Sequence, residues 1–319
     1  MSNSKIQAEV LRAIRGKLTT SAFSAKLGYR FNQYARWEKG DRRLMWTDFV
    51  AVCETKKLPI ARQVSLYLGY EGDLGKTDAL TKTLLHGFSI DEVSKATEIS
   101  RSKISRWVNG KASPAFGDVY DLLNWGVNVL AFLEPLVDLE KVPSLAKRYE
   151  QFKLQRELVF TMPHLDALQE ALLVRRYEKS TRHDSRILAE IAGLPVDVVD
   201  RSLEALLETK QVEKKSGKYR MTEIGVDYRA DKKRMAKILA HWLRQTTAVV
   251  ERVTDKPIER SLVGFSVFSL SADAHEKASN LLREFVRGMH TIGSEDKGPK
   301  DGVFVFTTSL VDAERFGDS

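Results

Sequence analysis

Two short stretches carry the side chains best suited to polar recognition chemistry: "FNQYARWEKGDRR" at residues 31–43 and "SRSKISRWVNGK" at residues 100–111. The first offers Asn32, Gln33, Arg36, Arg42 and Arg43; the second offers Arg101, Ser102, Lys103, Arg106 and Lys111. Carboxamides and guanidinium groups hold paired hydrogen-bonding atoms in a plane, which suits the edge of a base pair, and the cations suit phosphate. Neither stretch shows an acid on the outward face of its helix through the first two turns. Catalytic and metal chemistry find less support. His86, His164, His183, His241, His275 and His290 are scattered, without His-Glu-x-x-His or Cys-His spacing, and no Gly-x-Ser-x-Gly or nucleotide fingerprint occurs. The single cysteine, Cys53, lies in the apolar pattern "DFVAVCE" and reads as a small buried residue rather than a nucleophile. Residues 69–77, "GYEGDLGKT", imitate a phosphate loop, but five residues separate Gly69 from Gly75 where four are needed. The expectation is a protein that is not an enzyme and uses no cofactor.

The elements that must position these groups come in two copies. Arg, Trp and Gly recur seventy positions apart in "YARWEKGD" and "ISRWVNGK". In the first copy Phe23 and Leu27 stand four apart on a short helix that Gly28 closes, and Tyr34 and Trp37 face inward from the next helix, which ends at Gly40. In the second, Val93 and Ala96 share a helix face, "TEIS" makes the turn, and Ser100 is placed to cap a helix whose inner stripe is Ile104, Trp107 and Val108. Offsetting by seventy aligns Phe23 with Val93, Gly28 with Glu98, Trp37 with Trp107 and Gly40 with Gly110. One such duplication predicts a pair of small domains, each with its own core, rather than a solenoid.

Both copies, "LTTSAFSAKLGYRFNQYARWEKGDRRL" and "FSIDEVSKATEISRSKISRWVNGKASP", resemble the Cro/repressor (XRE-type) helix-turn-helix family. The departures are Glu98 where the family has a turn glycine and Arg30 where it has a capping Ser or Thr. The resemblance implies a recognition helix laid in the major groove, with Asn32, Gln33 and Arg36 in one copy and Arg101, Ser102, Lys103 and Arg106 in the other facing the bases. Arg42, Arg43 and Lys111, just past the helix ends, would meet phosphates.

Beyond Pro135, "SLAKRYEQFKLQRELVF" reads as a connecting helix. Helices over "DALQEALLVRRYEK", "SRILAEIAGL" and "VDVVDRSLEALLETKQ", then a hairpin "VEKKSGKYRMTEIG" turning at Ser216-Gly217, suggest a winged helix. Its third helix shows Asp197, Asp200, Glu204 and Glu208 outward, which phosphate would repel, so a structural or dimerising role is favoured. The tail predicts a helix over "DKKRMAKILAHWLRQTTAVVERV", a strand in "SLVGFSVFSL", a helix in "ADAHEKASNLLREFVRGMH", a charged loop from Gly293 to Gly302, and a second strand "VFVFTTSL". Two strands alone make no stable sheet, so pairing with a second chain is expected to complete it. From residue 77 onward, "EISRSKISRWVNGK", "GKYRMTEIG" and "FSVFSLSADAHEKASNLLREFVRGMHTIGSED" are similar to a paralogous bacterial family of helix-turn-helix regulators with a C-terminal domain of unknown function.

The fold class expected is mainly α: helix-turn-helix domains over 1–70 and 71–140, a connecting helix over 141–165, a winged helix over 166–230, and a small strand-helix-strand α/β domain over 231–319 that dimerises or senses a signal. Charge agrees with a polyanion-binding head, since residues 1–60 hold 12 Lys+Arg against 5 Asp+Glu while residues 61–160 hold 13 of each. The longest apolar run is too short for a bilayer, the N-terminus lacks an apolar signal core, and a cytoplasmic, nucleoid location is expected. The function expected is sequence-specific reading of double-stranded DNA by a homodimeric transcription regulator. The alternatives are an architectural nucleoid protein of low sequence preference and a protein-interaction scaffold.

Overall fold

The computed structural model describes residues 3–85, 88–126, 128–222, 231–251, 267 and 269–311. The chain is mainly helical and divides into two compact units. Among the described residues no helix is long and apolar enough to cross a membrane.

The first unit, Met1–Leu158 with Thr209–Gln211 and Thr222–Lys232, uses one five-helix plan twice. Helices α1 (Asn3–Arg15), α2 (Thr20–Lys26), α3 (Gln33–Lys39), α4 (Trp46–Thr55) and α5 (Ile60–Leu68) are followed by α6 (Thr77–Leu84), α7 (Ile90–Thr97), α8 (Arg101–Val108), α9 (Phe116–Gly126) and α10 (Val129–Leu133). Each second-copy helix starts within four residues of the position seventy past its counterpart. The repeat visible in the sequence around two tryptophans therefore extends over five helices. Helix starts are set by side-chain caps: Thr19 accepts from the Ala22 amide, and Ser89 and Glu92 form a capping box. Gly40 ends α3 in the left-handed conformation.

The α2–α3 turn passes through Gly28 at φ 80°, and the α7–α8 turn through Glu98 at φ 58°. The same left-handed turn is thus made once by the residue that allows it freely and once by one that does not.

The copies are not separated at residue 70. One continuous core runs from Ile6 through Trp37, Trp46, Phe49 and Tyr67 into Phe116, Val119, Phe132 and Phe152. A smaller one, Leu85, Val93, Ile99, Ile104, Trp107 and Leu122, lies beneath α7 and α8. The copies also exchange backbone hydrogen bonds. Met45 and Ala115 form an antiparallel bridge, with the Trp46 amide donating to Pro114 O at 3.0 Å and the Phe116 amide donating to Leu44 O at 2.8 Å. Beside it the rings of Phe49 and Phe116 stand 4.7 Å apart. Helix α11 (Pro143–Thr161) follows, as expected for the connecting helix.

The second unit comprises Val159–Glu208, Val212–Met221 and Lys233–Ser319. Helices α12 (Leu165–Ala171), α13 (Arg175–Glu178), α14 (Ser185–Ala192) and α15 (Val196–Glu208) precede strands β1 (Val212–Lys215) and β2 (Lys218–Met221), which pair antiparallel in the register Val212↔Met221. The hairpin turn falls at Ser216 and Gly217, both at positive φ, as a tight two-residue connection requires. Leu168, Leu188, Val199, Leu203 and Leu206 form the interior. The single helix expected over 166–179 breaks at Leu172–Val174 into α12 and α13.

Helices α16 (Lys232–Val250) and α17 (Ala272–Glu295) complete the description. The charged loop expected from Gly293 begins instead after Glu295, because α17 continues that far. The strand expected over 303–310 is corrected: these residues have no regular structure, and among the described residues the sheet contains only β1 and β2. An alternating apolar run becomes a strand only where a ladder partner lies beside it, so the pattern alone does not make a strand. Most of the other predicted strand, 261–270, lies outside the described residues.

Candidate nucleic-acid interface

Asn32 fixes the entry to α3. Its Oδ1 accepts from the Ala35 amide at 3.2 Å and from Ser24 Oγ at 3.2 Å, and its Nδ2 donates to Thr20 Oγ1 at 3.0 Å. Ser24 Oγ in turn accepts from the Tyr34 amide at 2.9 Å, so α2 and α3 are locked through the turn. Asn32 is exposed but its polar atoms serve the fold.

Tyr34 and Trp37 face inward as expected: Tyr34 packs edge-on against Phe23, and its hydroxyl donates to Leu11 O at 2.8 Å. Burial pushes its ionisation well above the ordinary tyrosine range. Tyr29 stands against Trp37 and donates to Asp48 at 2.9 Å; burial first, then that bond, raises its pKa to about 12, so it remains a donor.

Glu38, whose charge would repel phosphate if it faced outward, turns back to Arg15, with oxygens 2.7 and 3.2 Å from the guanidinium. Asp41, beyond the helix end, stays exposed, and the rest of the outward edge is cationic. Arg36, Arg42 and Arg43 are exposed, and Arg36 and Arg42 line a hollow of about 210 Å³ together with Arg30 and Phe31. Phe31 is 82% exposed, directly before the capping residue of α3. Nothing in the sequence singled it out, since an aromatic next to an inward-facing helix reads as core. An exposed ring at this edge suits contact with a thymine methyl group.

Gln33 lines the same hollow but is buried within it. It is only 6% exposed, and its carbonyl accepts from Arg42 at 3.4 Å. The outward placement expected for it is corrected, whereas Lys103, the residue seventy positions on, stays part-exposed with its ammonium engaged locally. Lys103 donates to Asp118 at 2.5 Å and lies over the Trp107 ring at 5.3 Å. Both positions lie on the flank of the helix toward the start of the next one, where α4 presents Asp48 and α9 presents Asp118.

The front of α8 is otherwise as expected. Arg101, Ser102, Arg106 and Lys111 are exposed. Arg101 pairs with Asp91 at 3.2 Å with both side chains more than half exposed, a contact worth at most ~1 kcal/mol that a phosphate could replace. Ser100 precedes α8, but its hydroxyl lies 3.4 Å from Ser102 Oγ and makes no cap bond, correcting the capping role expected for it.

The segments beyond the helices are held by equivalent positions. Buried Gln7 donates to Trp37 O at 3.1 Å and accepts from the Leu44 amide at 3.4 Å; buried Thr77, seventy residues later, donates to Ser113 Oγ at 3.1 Å. Arg36 and Arg106 are likewise equivalent, and both are exposed.

The second unit offers a poorer surface. Asp197, Asp200, Glu204 and Glu208 are exposed along α15. Of the hairpin cations, Lys218 donates to the carbonyls of Glu178 (2.6 Å) and Ser180 (3.1 Å), while Lys214, Lys215 and Arg220 remain exposed. His183 bridges the Tyr177 hydroxyl and Ser185 Oγ, and burial holds its pKa below the usual histidine value.

A family model described as "Domain of unknown function" (DUF4423) matches residues 148–312, beginning within α11, so both five-helix copies precede it. No curated protein and no solved structure matches the chain.

Proposed function

We propose, from the premise that the chain belongs to the DUF4423 family, that it is a sequence-specific DNA-binding transcription regulator whose α2–α3 and α7–α8 pairs are helix-turn-helix units. The observation that carries the reading is the matched, acid-poor front of α3 and α8, with Arg36 and Arg106 exposed at the same position of each copy. Arginine there has the fork that reads guanine O6 and N7, and Arg42, Arg43 and Lys111 supply phosphate contacts beyond the helix ends. The turning-in of Glu38 removes one of the two acids at the end of α3 that would oppose docking, and Asp41 stays exposed among Arg36, Arg42 and Arg43.

In this reading the α12–β2 segment is a winged helix without a groove-reading role, because its third helix is acidic outward. The protein is a binding protein of the cytoplasm and nucleoid, not an enzyme. A second copy is the partner of the C-terminal segment, where Leu281, Phe285 and Ile292 of α17 are exposed; a monomer by light scattering at micromolar concentration would remove that partner.

The test is a binding titration of the full chain against selected and random duplexes at several salt concentrations. A regulator keeps a preference of about a thousandfold or more for its site. Steep salt dependence with no preference would point to an architectural role instead, and absence of duplex binding at low salt would leave a scaffold.

A further inference from the structure

We infer that one chain forms an internal pseudo-dimer, docking α3 and α8 side by side on a two-part, non-palindromic duplex site. The starting point is the bridge between the copies. An antiparallel pair of residues has a local two-fold axis through its centre. Here the two residues facing each other, Met45 and Ala115, are the same position of the two copies, and the flanking bonds are reciprocal: Trp46 amide to Pro114 O, Phe116 amide to Leu44 O. The second bond is the first with each number moved by seventy. At the bridge, therefore, a local two-fold axis relates equivalent residues of the two copies, the self-complementary arrangement by which identical subunits make a dimer.

The axis lies close to both recognition helices. Lys39 ends α3 six residues before Met45, and Val108 ends α8 seven residues before Ala115. Even fully extended, those segments and the bridge keep the two helix ends within roughly 50 Å. Two half-sites on one face of a duplex lie a multiple of ~34 Å apart, so a separation of one helical turn is reachable and two turns are not. Arg43, after α3, lines the same cleft as Thr97 and Glu98, which precede α8, so the exit of one reading helix lies near the entry of the other.

The edges differ in chemistry where a homodimer's would be identical. Phe31 precedes α3 at the position that Arg101 occupies in α8, while Arg36 and Arg106 coincide. One half-site should therefore combine a thymine methyl contact with a guanine contact, and the other should be read by cations alone.

This inference rests on the DNA-binding reading, and its test separates the two. The full chain is used to select duplexes from a random pool, and the winning site is footprinted at limiting protein. The expected result is two unlike half-sites centred about 10 bp apart. Arg36→Ala should relax base preference in one half only and Arg106→Ala in the other only; both residues are exposed, so the fold is kept. Inserting about 5 bp between the halves turns one away from the other and should weaken binding about 100-fold. Three outcomes overturn the pseudo-dimer while leaving DNA reading intact: a palindromic site in which Arg36→Ala relaxes both halves, indifference to the insertion, or bridging of two separate duplexes by one chain. Failure to bind any duplex at low salt would instead overturn the DNA reading itself.

Discussion

The two copies in the first unit have the same helices and nearly the same pattern of buried positions, yet they solve each local problem with different side chains. Gln7 and Thr77 both anchor the segment that follows the recognition helix, one with a carboxamide and one with a hydroxyl. Glu38 is neutralised by Arg15 in the first copy, while the second has Val108 at that position and places its flanking ion pair at Lys103 and Asp118. The left-handed turn residue is glycine in one and glutamate in the other. What the plan demands is a buried stripe, a turn and a tethered exit; which residues meet those demands is open. The outer edge carries no packing demand, and it differs most there.

The comparison is tested most severely at the tryptophans. Each is almost completely buried, Trp37 in the large shared core and Trp107 in the small one. Truncation to alanine should cost about 3–5 kcal/mol in each case. Hydrogen exchange should show the loss spread through the first unit for Trp37→Ala but confined to α7–α8 for Trp107→Ala; equal spread would mean that the small core is not independent.

The ion pairs come next. Arg15→Ala leaves the Glu38 carboxylate, 10% exposed, without its partner, and should destabilise by about 2 kcal/mol in chemical denaturation. Lys103→Ala, at a pair more open to water, should cost under about 1 kcal/mol. The reverse order would contradict the assignment of Glu38 to the interior.

The turns should respond in opposite directions. Glu98→Gly relieves a left-handed non-glycine residue and should stabilise by about 1 kcal/mol, whereas Gly28→Ala introduces that conformation and should destabilise by a similar amount. A differential thermal melt reads both. The smallest effect is expected from Lys111→Ala: stability within ~0.5 kcal/mol, all duplex sequences weakened alike, and a salt slope lower by about one contact.

Much of this plan was legible in the residues. The seventy-residue spacing, the inward pair Tyr34 and Trp37, the closing Gly40 and Gly110, and the hairpin turn at Ser216-Gly217 all follow from steric and periodic rules that act locally. The fourth and fifth helices of each copy were not legible as repeats, because what recurs there is burial rather than identity: Trp46 matches Phe116, and Phe49 matches Val119. Gln33 was misplaced, and the partner of Lys103 missed, for a related reason. Helical spacing gives the direction of a side chain but not the neighbouring helix, and it is α9 that brings Asp118 to Lys103. Phe31 escaped notice because sequence patterns treat every aromatic as core. The run over 303–310 has the alternation of a strand, but alternation says nothing of whether a partner strand lies alongside.

The reciprocal contact at Met45 and Ala115 also bears on how such a protein can change. When a matched pair of readers is assembled from two identical polypeptides, every substitution is inherited on both sides at once. Here residue 36 can be altered while residue 106 stays as it was, so preference can drift on one side while the other holds the protein in place.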